Sequence, residues 1–311
     1  MKQKKAVNRS LMAFDAWDSS SSVRTRPYAY ALSKKDCLQA EPSLWFPTAL
    51  VPLTGYPEVK GLPVHGLRKL HIRCLLYFLD YTTELEVALV NRAVTCMVQG
   101  DLSGFFSPDE RNAALKLYTD EGYHALFSND LAEQVATYFK LSRFRSTRLK
   151  HFNDLLATCG RGDEALGLFV MAFISETVIT QALSLLTRDE LILPVFNMLK
   201  DHLHDEARHS VFFAGCFATV WQQASDTERE FIVNTLIVGL RIFCRPDIPF
   251  ARFQLKDAAV CCEGAVRFLR QNWRLRMPAT LQLTLNAIRR TDLLSNVSYF
   301  CRFKKEGFID G

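Results

Sequence analysis

The chain has 311 residues, 49% of them hydrophobic, which is long and apolar enough for a large buried core. Lys and Arg number 38 against 33 Asp and Glu, and the resulting +5 is scattered rather than blocked, so nothing points to a nucleic-acid partner. No stretch reads as long and apolar enough to span a membrane, and no apolar run follows the basic start Met1–Lys5, so a cytoplasmic location is expected. The nine cysteines, none in CxxC spacing, read as free thiols, the adjacent Cys261 and Cys262 included.

Residues 1–65 are expected to form an N-terminal arm packed on a helical bundle. Asp18-Ser19-Ser20-Ser21-Ser22 reads as a loop, and Pro42, Pro47, Pro52, Pro57 and Pro63 prevent one long helix across 42–63. Trp45, Phe46 and Tyr56 are its expected anchors. Residues 66–311 read as one all-α domain, with a core bundle over about 66–224 and extra helices over about 227–291.

The first bundle helix is expected over 66–99, ending at Gly100. Glu86 shares a stripe with Ile72, Leu76, Leu79, Thr83, Val90, Ala93 and Met97, whereas Glu84 sits on a solvated side near Arg73, Asp80 and Asn91. A second helix opens at Ser107-Pro108-Asp109-Glu110, which combines an N-cap serine, proline at the first helical position and glutamate three after the cap. It runs to about 127, bending on to 139, with Ala114, Leu117, Glu121, His124, Ser128 and Leu131 along one face; Tyr118 and Tyr123 read as packing residues. The basic run Lys140–Lys150 reads as a solvated connector. After Gly160-Arg161-Gly162, a third helix over about 163–186 carries Phe169, Phe173, Glu176, Thr180 and Leu183 on one face. A fourth, over 189–222, carries Val195, Leu199, His202, Glu206, His209 and Phe213, with His204 pointing away. Ser225-Asp226-Thr227-Glu228 starts a fifth over 227–244, ended by Pro246 and Pro249, and two more are expected near 255–272 and 278–291.

One pattern occurs twice. Asp120-Glu121-x-x-His124 follows the lone Glu86 by 35 residues, and Asp205-Glu206-x-x-His209 follows the lone Glu176 by 30. Each gap permits a helix, a turn and an antiparallel return that brings the carboxylates level. Buried carboxylates and imidazoles need a partner, and a pair of metal ions held inside a four-helix bundle suits this set. Oxygen and imidazole donors without thiolate favour iron or manganese, and four carboxylates balance two divalent ions. His202, one turn before Glu206, is a candidate seventh ligand. Asp120 and Asp205 lie off the ligand line and are placed to accept the free N–H of a ligand histidine.

These motifs, with His202 as the more specific mark, resemble the diiron N-oxygenases of the 4-aminobenzoate N-oxygenase type over roughly residues 66–215. The resemblance implies a ferritin-like fold and two irons held by Glu86, Glu121, His124, Glu176, His202, Glu206 and His209. It also implies O2 as co-substrate, an external electron donor, oxidation of an amine to hydroxylamine and onward to nitroso or nitro, and a homodimer. That family is expected to hold its substrate's carboxylate with an arginine near the lone glutamate of the first helix. Here the nearest before Glu86 is Arg73, and Arg92 is off its face, so a different aryl amine, an amino-acid derivative or a carrier-tethered amine is expected. C–H hydroxylation, desaturation and oxidative cleavage share this ligand set, and a non-catalytic iron-binding bundle is the reading from outside the enzymes.

Overall fold

The computed structural model describes residues 9–26, 30–160 and 162–310; the basic start Met1–Lys5 and Arg161 lie outside them. Among the described residues every regular element is helical. The N-terminal region holds α1 (Arg9–Met12), α2 (Trp17–Ser20), α3 (Ser22–Thr25), α4 (Lys34–Cys37) and α5 (Pro57–Lys60). The bundle comprises α6 (Val64–Leu85), α7 (Asn91–Gln99), α8 (Pro108–Phe139), α9 (Arg148–Ala157), α10 (Glu164–Leu186) and α11 (Leu193–Gln223). The C-terminal helices are α12 (Asp226–Cys244), α13 (Ile248–Leu255), α14 (Cys262–Asn272), α15 (Met277–Arg289) and α16 (Val297–Glu306).

α6 packs along α8 and α10 along α11, and the two hairpins join to form the bundle. The Ser107 cap forms as expected: its side chain accepts from Glu110 N–H, and its own N–H donates to Glu110 Oε2 at 2.9 Å. α8 then runs unbroken to Phe139, without a bend near 127. Gly100 closes α7 with φ of 92°, a left-handed turn in which glycine avoids a Cβ clash. α12 and α15 cover the back of α10. α12 approaches closely because residue 239 is glycine: a Cβ there would meet Ile174 Cδ1 and Met171 Sδ at 2.7 Å.

Several expectations need correction. The helix predicted over 66–99 is interrupted by a π-helical segment, Glu86–Val90, whose wider turn carries no sequence signature. The Asp18–Ser22 stretch is not a loop: α2 and α3 meet at Ser21. The fourth helix begins at Leu193, with Pro194 in its first turn, rather than at 189. Pro249 opens α13 instead of only ending α12, and α16 extends the additional helices beyond 291. One helix, Glu164–Leu186, is long and apolar enough to cross a membrane, contrary to the sequence reading; 89% of its apolar window is buried, because it is the central helix of the core.

The arm is anchored as expected. Trp45 is fully buried, sets its edge on the Phe139 ring and donates Nε1–H to the Gln39 carbonyl. Phe46 is buried, and Tyr56 packs half-buried against Phe268. All nine cysteines are free. The apolar core falls into two clusters, one around Leu117, Phe173 and Phe213 and the other around Phe127, Ile179 and Leu199. Glu121, Glu176, Glu206 and Leu85–Glu86 occupy the level between them.

Candidate metal centre

At that level all seven candidate ligands are at most 1% exposed. Their donor atoms gather in three overlapping groups: Glu86, His124, His202 and Glu206; Glu121, His124, Glu206 and His209; and Glu86, Glu121 and Glu176. Within each group the atoms lie within 4.8 Å of one another. Glu206 Oε1 is central, 3.1 Å from His124 Nδ1, 3.2 Å from His202 Nε2 and 3.4 Å from His209 Nδ1. Glu121 spans the gap, with Oε2 3.0 Å from His124 Nδ1 and Oε1 2.8 Å from His209 Nδ1. His202 Nε2 stands 3.8 Å from Glu86 Oε1, and Glu176 Oε2 stands 3.6 Å from His209 Nδ1. The rejected Glu84 faces away and pairs with Arg145 at 2.8 Å. His204 is exposed.

The electrostatics of this cluster are unbalanced. Burial and the charges of Glu121 and Glu206 raise Glu86 well above the usual carboxyl range. Burial and the charges of Glu206, Glu121 and Glu86 do the same to Glu176. Burial also pushes Glu206 up, but hydrogen bonds with His124, His202 and His209 outweigh it and hold it well below the usual range. Both oxygens of Glu176, Oε2 of Glu86 and Oε2 of Glu206 are buried without a hydrogen bond. Carboxylate oxygens left this way in an apolar interior are costly unless a cation completes them. The donor set therefore fits a pair of metal ions.

Asp120 and Asp205 are buried and wired crosswise. Asp120, beside Glu121 on α8, lies 3.1 Å from Nε2 of His209 on α11. Asp205, beside Glu206 on α11, lies 3.2 Å from Nε2 of His124 on α8. Each carboxylate thus favours Nε2–H on its histidine and leaves the Nδ1 lone pair facing the cluster. The sequence singled out both aspartates but not their partners in the N-terminal region. Trp17 Nε1–H donates to both Asp120 oxygens, at 3.0 and 2.9 Å, and Ser21 Oγ–H donates to Oδ1. The N–H of Ser22 donates to Asp205 Oδ2 at 3.1 Å, and Arg208 adds a charged hydrogen bond. Phe14 stacks on the His209 ring, with centroids 5.9 Å apart.

Residues 20–259, which include all seven clustered side chains and both aspartates, match the family described as P-aminobenzoate N-oxygenase AurF. The chain belongs to this family. It is also 20% identical over 221 residues to a 4-aminobenzoate N-oxygenase from Streptomyces thioluteus. That alignment covers 69% of this chain and 66% of the relative, just under two thirds of the relative's length.

In this member of the N-oxygenase family, a cavity of about 450 Å³ is lined in part by Leu85 and Ser175, the chain neighbours of Glu86 and Glu176. Its walls are mostly apolar, from Phe46, Phe78, Val178, Ile179, Phe243 and Phe250. Arg148 is the functional candidate that the sequence reading missed. It was expected to be a solvated residue of the 140–150 run, and Arg145 of that run is indeed 85% exposed. Arg148 instead lines the cavity, with its guanidinium 5.2 Å from the centroid of Tyr81 and 5.9 Å from that of Tyr77. Its Nη2 donates to the Arg245 carbonyl at 3.1 Å, and its buried Nε makes no hydrogen bond. Asp247, the acid in the same wall, is occupied by Tyr77 Oη–H at 3.0 Å and Thr147 N–H at 3.0 Å. Burial pushes the Tyr77 phenol up to about 12, so it stays a neutral donor.

Proposed function

We propose that this protein is a non-haem diiron oxygenase that oxidises the nitrogen of an amine with O2. The observation that carries the reading is the buried cluster of four glutamates and three histidines whose outward carboxylate oxygens lack partners. Glu86, Glu121, His124, Glu176, His202, Glu206 and His209 would hold the two irons. When bound, the irons supply the reduction of O2 and the delivery of one oxygen atom. The first turnover balances as R-NH2 + O2 + 2 electrons + 2 protons → R-NHOH + H2O, with the electrons from an external donor.

The protein's own contribution is position. Asp120 and Asp205 fix which nitrogen of His209 and His124 carries the proton. The two apolar clusters keep water from the level of the glutamates. The cavity beside Glu86 and Glu176 receives the substrate, with its amine toward Leu85 and Ser175 and its body against the aromatic walls. Arg148 suits an anionic group at the far end of that substrate, because a half-buried guanidinium with a buried, unused Nε–H favours a carboxylate or phosphate. An aryl amine bearing an acidic group fits this cavity best.

The test is to load the protein with iron, reduce it, and expose it to O2 with a panel of aryl amines with and without an acidic group. Two irons per chain and a product carrying oxygen on nitrogen are expected. A product hydroxylated only on carbon would overturn the nitrogen assignment. Arg148→Gln is expected to raise KM for the acidic amines about tenfold or more, as loss of a charged hydrogen bond does, with iron content unchanged. Equal KM in the two proteins would remove Arg148 from the substrate site.

A further inference from the structure

We propose that Trp17 is the point where electrons from a one-electron carrier protein enter. The inference rests on the diiron reading and assigns the route by which that centre is reduced. A continuous hydrogen-bonded path runs inward from the indole. Trp17 Nε1–H donates to Asp120 at 2.9 Å, Asp120 lies 3.1 Å from His209 Nε2, and His209 Nδ1 faces Glu121, Glu176 and Glu206. Phe14 stacks on the same histidine, so the path is walled from solvent by a ring. A hydrogen-bonded path carries electronic coupling better than van der Waals gaps of the same length.

The outer end is open. Trp17 is half-buried, while Asp120 and His209 are fully buried. Among the described residues the Asp205 side has no comparable outlet: its carboxylate ends on a backbone N–H and the Arg208 guanidinium, neither of which is redox-active. Two cations flank the indole, the Arg24 guanidinium and the Lys116 ammonium, each 5.7 Å from its ring centroid, and Arg24 is paired with the exposed Asp18 at 3.9 Å. Two successive transfers, each oxidising one carrier molecule by one electron, take two ferric ions to two ferrous ions, and no bond in the protein is made or broken.

The test follows anaerobic reduction of the diferric protein by stopped-flow absorbance, with a reduced [2Fe–2S] ferredoxin as the carrier and dithionite as a small reductant. Trp17→Phe keeps the ring packing and loses the N–H. It is expected to slow reduction by ferredoxin about tenfold or more, as changes behind a ligand histidine commonly do, while iron content and reduction by dithionite stay as in wild type. Ser21→Ala also removes a donor from Asp120 but no aromatic ring, and is expected to leave the ferredoxin rate within about twofold of wild type. The route is overturned if Trp17→Phe is reduced by ferredoxin as fast as wild type, or if Ser21→Ala slows it equally. Equal slowing with dithionite, or a wild type that ferredoxin does not reduce, overturns it as well. A wild-type chain that binds no iron would instead remove the diiron reading itself.

Discussion

Around the centre, the π-helical turn after α6 supplies Glu86 and α8 supplies Glu121 and His124, while α10 and α11 supply Glu176, Glu206 and His209. The ligand types repeat, but the surroundings do not. Four residues before Glu206 stands His202, which reaches toward Glu86; four residues before Glu121 stands Leu117, fully buried in the apolar cluster. Glu86 opens a π-helical turn, whereas Glu176 sits in regular α-helix. Three residues after Asp205, Arg208 turns back to that aspartate. Three after Asp120, Tyr123 turns outward to the Arg26 carbonyl instead, and Trp17 and Ser21 take the place beside Asp120. A duplicated ligand set can therefore serve unsymmetrical chemistry, with the extra ligand and the wider turn on one side and the indole on the other.

The largest effect should come from the residue both halves share. Glu206→Ala leaves three histidines without their common carboxylate and is expected to reduce iron from two per chain to one or none, read by elemental analysis. A variant that retains both irons would show that Glu206 does not sit between them. Next in size are the supporting aspartates. Asp120→Asn and Asp205→Asn should each weaken iron retention against a competing chelator by about 10- to 100-fold, and to a similar degree, since each holds one ligand histidine. Unequal losses would mean that the two halves differ in affinity as well as in wiring.

A smaller effect is confined to acid and to the metal-free protein. Burial raises Asp205, but its hydrogen bond with His124 and that residue's charge outweigh it and hold the carboxyl far below the usual range. A depressed carboxyl contributes stability above its unfolded value, near 3.9, and loses it as pH falls through the folded one. Asp205→Asn should therefore flatten the stability profile only below about pH 4. A mutant profile parallel to wild type in that range would show that Asp205 is not ionised against His124.

The buried cluster was legible because helical spacing and burial act together. Glu86, Glu121 and Glu206 fall on apolar stripes at intervals of three and four, and no surface role explains glutamate there. The Ser107 cap was legible for a similar reason, since all its partners lie within four residues. What escaped was long-range or irregular. Trp17 and Ser22 meet Asp120 and Asp205 across separations of 103 and 183 residues, and nothing periodic announces such contacts. Arg148 was read by its basic neighbours, although Arg145 is exposed and Arg148 is half-buried against Tyr77 and Tyr81. The π-turn at Glu86 leaves the buried stripe intact on both sides, so periodicity gave no warning of it.

The segment before residue 20 has a practical bearing on how the protein is handled. The stretch that matches the family runs from 20 to 259, and a truncated clone drawn to those limits would contain every proposed ligand. It would omit Phe14 and Trp17, so His209 would lose its aromatic cover and Asp120 its indole donor. Such a fragment can be helical by circular dichroism and still leak iron during purification. Similarity limits and the limits of the working unit are different boundaries in this chain.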